Sequence, residues 1–181
     1  MTRTLKWISA VIALLALAFI AYRLSLPAEA KLSPQETVLF EKNGLRIEVT
    51  YGRPWKKDRK IFGELVPYGK VWRTGANEAT VFISNHDLVV DGKKLRAGKY
   101  SLWTIPQPDK WIVIFNSKMY PWGVNFEEQA LREAAFDAIA VEIPVETTPE
   151  LTEQFAITIE DLAKPELVMK WEHTMVRVPL K

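Results

Sequence analysis

The chain contains no cysteine. That excludes disulfides, Cys-ligated zinc, thiol catalysis and a lipid-modified N-terminal cysteine. Histidine is nearly as scarce: only His86 and His173 occur. Each is isolated and neither stands in a metal-ligand spacing such as HExxH, so no metal site is expected and a surface role is expected for both. GxSxG, GxxxxGKS/T and GxGxxG are all missing, which leaves no sequence sign of a cofactor or of a nucleophile elbow. A strong charge of one sign is missing too. The 181 residues carry 24 Lys and Arg against 22 Asp and Glu, a formal +2. Three of those bases (Arg3, Lys6 and Arg23) fall in residues 1–26, which hold no acid; the remaining 21 bases face 22 acids, a charge of −1. The body is close to neutral, and a nucleic-acid partner is not expected.

What the sequence does have begins with residues 7–22, WISAVIALLALAFIAY, in which only Ser9 is polar. As a helix this run would rise roughly 24 Å, somewhat short of a hydrocarbon core of about 30 Å unless Leu24, Ser25 and Leu26 extend it while Arg23 snorkels. Two outcomes are open. A signal peptide would be cleaved after the small-x-small triplet Ala28-Glu29-Ala30. A signal anchor would keep the run as a single transmembrane helix, N-terminus cytoplasmic, with the domain tethered on the periplasmic or extracytoplasmic side. A basic residue straight after the apolar run favours the anchor. Residues 1–26 are thus assigned to the signal anchor or signal peptide, 27–35 to a polar linker and 36–181 to one exported domain.

Within that domain the hydrophobic period is two. Leu45, Ile47, Val49 and Tyr51 alternate with Arg46, Glu48 and Thr50, and Asn43-Gly44 before them is a strong hairpin signal. Further strands are expected at 80–84, 88–90 (leading into Asp91-Gly92), 100–105, 111–115, 139–145, 155–159, 167–171 and 174–178. One helix is expected at 127–136, N-capped by Asn125 with Glu128 three residues on. Short strands separated by Gly, Pro and Asx turns, with no βαβ alternation, give an all-β fold: a single antiparallel β-sandwich, jelly-roll-like or a partly open barrel, with one short helix, preceded by the N-terminal transmembrane or signal helix.

Chemistry concentrates in residues 52–80. Arg53, Lys56, Lys57, Arg59 and Lys60 surround the single acid Asp58, with Trp55 among them. Arg53 and Lys60 flank apolar segments that should turn them back into the fold. Residues 72–80, WRTGANEAT, set a guanidinium, hydroxyl, carboxamide and carboxylate just before a strand, where such groups either line a pocket or staple a loop. Trp103, Trp111 and Trp171 fall in phase with core positions, whereas Trp122, in YPWG, sits in a loop where an aromatic plate suits a sugar or an apolar ligand.

Residues 52–80 match the pattern GRPxxKxRKIFGxLVPYGKVWRTGANEAT. With DGKKLRAGKYSLWTIP, WIVIFN and the pair Trp122-Gly123 following in order, the chain resembles a bacterial family catalogued as domain of unknown function 2911. The resemblance covers nearly all of the exported part and departs at Trp55 and at the helical-looking segment 127–136. It implies an exported, single-domain, mostly β protein, and supplies no catalytic residues. The candidate ligand-binding pocket is then Arg53, Lys60, Arg73, Asn77, Glu78 and Trp122, for an anionic or glycan-like small molecule or an envelope partner. The alternatives are an envelope hydrolase with Glu78 as base and Arg73 stabilising developing charge, and a structural domain without ligand. Catalytic residues are not assigned, and the sequence leans away from an enzyme.

Overall fold

The computed structural model describes residues 33–181 and, before them, only Ile12, Leu14, Leu15 and Leu17. The anchor or signal helix expected at the N-terminus otherwise lies outside the described residues. Among the described residues no helix is long and apolar enough to cross a membrane.

The domain opens with a hairpin of β1 (Gln35–Lys42) and β2 (Leu45–Gly52). Lys42 faces Leu45 across a two-residue turn in which Asn43 (φ 50°) and Gly44 (φ 84°) both take left-handed conformations, as the twist of a tight hairpin requires. Alternation along β2 buries Ile47, Val49 and Tyr51. Next come β3 (Thr80–Ser84), a small hairpin of β4 (Leu88–Val90) and β5 (Lys93–Leu95), then β6 (Gly98–Pro106) and β7 (Lys110–Asn116). The last two strands are long, β8 (Asp137–Asp161) and β9 (Pro165–Pro179). Seven strands form one antiparallel sheet in the order β1-β2-β3-β6-β7-β8-β9, with β4-β5 as a separate pair. Gln35, Gly52, Thr80 and Pro106 lie toward one end of this sheet, called here the lower end, and Lys42, Leu45, Ser84 and Gly98 toward the upper end.

The four strands expected after residue 138 are joined into two. The β8–β9 ladder is irregular between Thr147 and Thr152 and again between Thr152 and Ala156, and Glu172 takes φ 54° opposite the break. These irregularities bend the ribbon, as bulges do. The bend brings the Leu180 amide 2.8 Å from the Pro165 carbonyl, pairs Trp55 with Gln154, and lets the Tyr51 hydroxyl accept from the Ile157 amide at 2.8 Å. The result is an all-β, curled antiparallel sheet shaped as a half-barrel. Its concave side holds the main core, where Phe82, Leu102, Trp111 and Phe115 meet Phe155, Met169 and Trp171 from the folded-over ribbon. A smaller cluster of Trp103, Ile114 and Ala79 sits on the convex side beneath Tyr120 and Ala130.

The helix expected at 127–136 does not form. Asn125 Oδ1 accepts the amides of Glu127 (3.1 Å) and Gln129 (2.8 Å), as a cap would. Glu128, however, turns left-handed (φ 60°), which ends the helix before one turn is complete. Val124 bridges Ala130 instead, and only a 3-10 turn at Ala134–Phe136 remains. Leu131 and Phe136 are exposed, so no continuous apolar stripe is buried that would sustain so short a helix.

The ribbon also carries an acid-sensitive cluster. Arg177 Nη1 lies 2.5 Å from Glu160 and 3.4 Å from Glu166. The Arg177 hydrogen bond, with help from Lys170, holds the Glu160 carboxyl below its ordinary value. A carboxyl depressed on folding binds its proton more tightly in the unfolded chain. It therefore adds stability at neutral pH, and that contribution is lost as pH falls below the ordinary glutamate value and through the folded one. Arg177→Met should lower the urea midpoint at neutral pH and change it much less in acid. An equal loss at both would show that Arg177 acts by packing alone.

Candidate functional site

The segment before β3 is fixed from both sides. Trp72 pairs with Thr104 of β6 through two backbone hydrogen bonds (2.7 and 3.0 Å), and its indole stacks on Trp171 (centroids 6.0 Å apart, planes 18° apart). Thr74 is fully buried, donates to Thr104 Oγ1 at 3.1 Å, and its carbonyl accepts from Thr80 Oγ1 at 2.7 Å. Its φ of 55° is a strained value for a β-branched residue.

Between them stands Arg73. Its stem lies against Gly123, where an added Cβ would come within 2.8 Å of Arg73 Cβ and Cδ, and its guanidinium lies over the Trp122 ring, 5.8 Å from the centroid. Arg73 Nη1 is the one buried side-chain nitrogen or oxygen among the described residues that has no hydrogen-bond partner. Burial pushes the guanidinium below the usual arginine value, while the Glu128 and Glu78 carboxylates pull it back. Arginine stays charged at neutral pH, so this is a partly desolvated cation without a direct counter-ion among the described residues.

Beside it the convex face holds an open cleft of ≈ 370 Å³. Thr50, Val81 and Lys99 belong to its sheet side, Gln35 and Glu78 to its lower side, and Met119, Tyr120 and Pro121 to the segment that crosses the sheet. Glu78 is exposed and connects the two features, since it lines the cleft and acts on Arg73 through space. Among the described residues, no three His, Asp or Glu are grouped as a metal site would need.

The six residues singled out from the sequence thus separate. Arg73 and Trp122 touch, and Glu78 is close. Asn77, left-handed at φ 64°, donates from Nδ2 to the Ser33 carbonyl at 3.0 Å. Arg53 pairs with Glu36 and donates from Nε to the Phe155 carbonyl at 3.2 Å. These two tie down the frame. Lys60 is exposed and pairs with Glu64 at 3.4 Å, in the turn after Arg59. His86 and His173 are exposed, with Nδ1 near Asn85 Oδ1 (2.8 Å) and the Thr148 carbonyl (3.0 Å).

Lys99, Thr50 and Gly123 join the candidate site only through the tertiary structure. Lys99 and Thr50 are ordinary outward positions of alternating strands, and nothing local marks them as neighbours. Gly123 had a signal, its place in the Trp122-Gly123 pair, and the structure supplies its reason in the stem of Arg73.

Searches of curated proteins and of solved structures return no match. The family model described as protein of unknown function (DUF2911) matches residues 33–180, and the chain belongs to that family.

Proposed function

We propose that this protein is a membrane-tethered, extracytoplasmic binding module for a polar ligand, anionic or glycan-like, engaged by Arg73 and Trp122 and accommodated in the neighbouring cleft. The unpartnered Nη1 of Arg73 carries the reading. A buried donor without an acceptor costs free energy that a ligand oxygen would recover, and the Trp122 ring offers the flat apolar face on which a sugar packs. The strained backbone of Thr74 next to the arginine supports it, since strain of this kind gathers at binding sites. The fold we read as a β-sandwich, the folded-over halves of β8 and β9 serving as the second layer.

The test is calorimetric titration of the full chain with a uronic-acid oligosaccharide, its neutral counterpart and inorganic phosphate. One of the acidic probes should bind. Arg73→Gln should weaken that binding at least about tenfold, the value of a charged hydrogen bond, while the unfolding midpoint holds or rises because an unpaired buried charge has been removed. Gly123→Ala should weaken binding similarly by displacing the Arg73 stem. If Arg73→Gln instead loses several kcal/mol of stability and leaves titrations unchanged, the arginine is a structural staple and the proposal fails.

A further inference from the structure

Of the five exposed aromatic residues among the described ones, Phe136 lies by the Asn116–Asp137 pair toward the upper end and the other four toward the lower end. Trp55 follows Gly52 and Arg53 at the lower end of β2, and Tyr68 precedes Gly69, whose amide bonds to the Pro106 carbonyl at the lower end of β6. The segment 117–136 runs down the convex face in steps. Ser101 Oγ donates to the Lys118 carbonyl at 2.7 Å, Tyr120 packs edge-on against Trp103 (5.3 Å), and Trp122 meets Arg73 beside the Trp72–Thr104 bridge. It thereby delivers Trp122, 49% exposed, and the fully exposed Phe126 toward the same end. The polypeptide enters the domain there as well, because the Asn77 side chain holds the Ser33 carbonyl and the Arg53 amide holds the Pro34 carbonyl at 2.8 Å.

We infer that the lower end is a lipid-facing surface, on which Trp55, Tyr68, Trp122 and Phe126 rest at the membrane–water interface. The inference rests on the tethered reading of residues 7–22. Ten residues, 23–32, separate that run from Ser33, and fully extended they reach roughly 35 Å at most. A domain on so short a leash is held within one domain diameter of the bilayer by the end at which the leash joins it. Aromatic rings, Trp and Tyr above all, are the side chains that favour the headgroup level. Lys56 lies 3.8 Å from Glu172 and Lys60 3.4 Å from Glu64, whereas Lys57, Arg59 and Lys70 are exposed and stand in no ion pair among the described residues. On neutral lipid the contact is therefore aromatic and withstands salt, and anionic lipid would add a salt-sensitive attraction through those three bases. The cleft runs from Gln35, next to the point of entry, up the sheet to Lys99.

The absence of cysteine makes the test direct. Phe126→Cys, and Leu162→Cys at the upper end beside the β8–β9 turn, each give the full chain a single thiol on an exposed side chain. Each variant is labelled with a fluorophore and reconstituted into phosphatidylcholine vesicles containing headgroup-nitroxide lipid. Quenching at position 126 should exceed that at 162 several-fold, and should persist in roughly molar salt, where screening lengths fall to about 3 Å. Equal quenching at the two positions, or stronger quenching at 162, in vesicles that carry the chain on flotation would overturn the orientation and leave the tether standing. A chain that does not float with vesicles would overturn the tether and this inference together.

Discussion

Gly52→Ala is expected to be among the most destabilising single substitutions in the domain. A Cβ at Gly52 would lie inside the Ala76 carbonyl oxygen and 3.0 Å from the carbonyl carbon. The obstacle is backbone and cannot swing aside like the end of a long side chain. The same two residues are joined by a hydrogen bond from the Ala76 amide to the Gly52 carbonyl (3.3 Å), so the loop that carries Arg73 sits directly on the end of β2. Relieving the clash means lifting that loop, with Trp72 and the buried Thr74 hydroxyl leaving their partners. Overpacking alone costs roughly 1–3 kcal/mol, and the broken contacts take the total to about 4 kcal/mol. Against a domain stability of roughly 5–15 kcal/mol this is a large fraction. Soluble yield and urea unfolding measure it, and a midpoint matching the parent would mean that the loop is free to move off the strand.

Trp171→Ala should cost about 3–5 kcal/mol, the range for removing a large buried aromatic. Trp171 is 1% exposed, stacked on Trp72 and set edge-on to Phe62 at 6.2 Å. It stands on the folded-over part of β9, so it reports whether that part covers the core. Unfolding of the Ala variant would show the loss, and Trp171→Phe should restore most of it. A cost under about 1 kcal/mol would mean the ribbon does not press on the core. Because Trp72 precedes Arg73, the Ala variant should also loosen the candidate site, visible as weaker binding of whichever acidic probe the parent takes.

Much of the fold could be read locally. Period-two alternation at 45–51 and the Asn43-Gly44 turn made the first hairpin, and Asp91 and Gly92 made the second with the same left-handed pair. Such features depend on neighbours within a few residues, so they survive without tertiary context. The helix at 127–136 failed for the complementary reason. Its cap formed at Asn125, but continuation depended on burying a face, and the segment instead lies across a sheet that accepts only Ala130 into its convex cluster. The joining of four expected strands into two bent ones was likewise not legible, since the irregularity at Thr147–Thr152 serves the packing of Phe155 and Trp171 against distant strands.

The candidate site divides in the same way. Arg73, Glu78 and Trp122 could be singled out as residue types in suggestive loops, whereas Lys60 and Arg53 looked equivalent to them in sequence and have their charges met by Glu64 and Glu36. By itself the sequence determined the absence of thiol chemistry, the location of the net positive excess in the first 26 residues, the all-β character and the family. Only the tertiary structure decided that Arg73 lies on Trp122 and against Gly123 with a buried nitrogen unmet. Charge, turns and alternation belong to residues and their near neighbours. Whether a guanidinium is paired depends on which distant segments crowd around it and how much water they exclude.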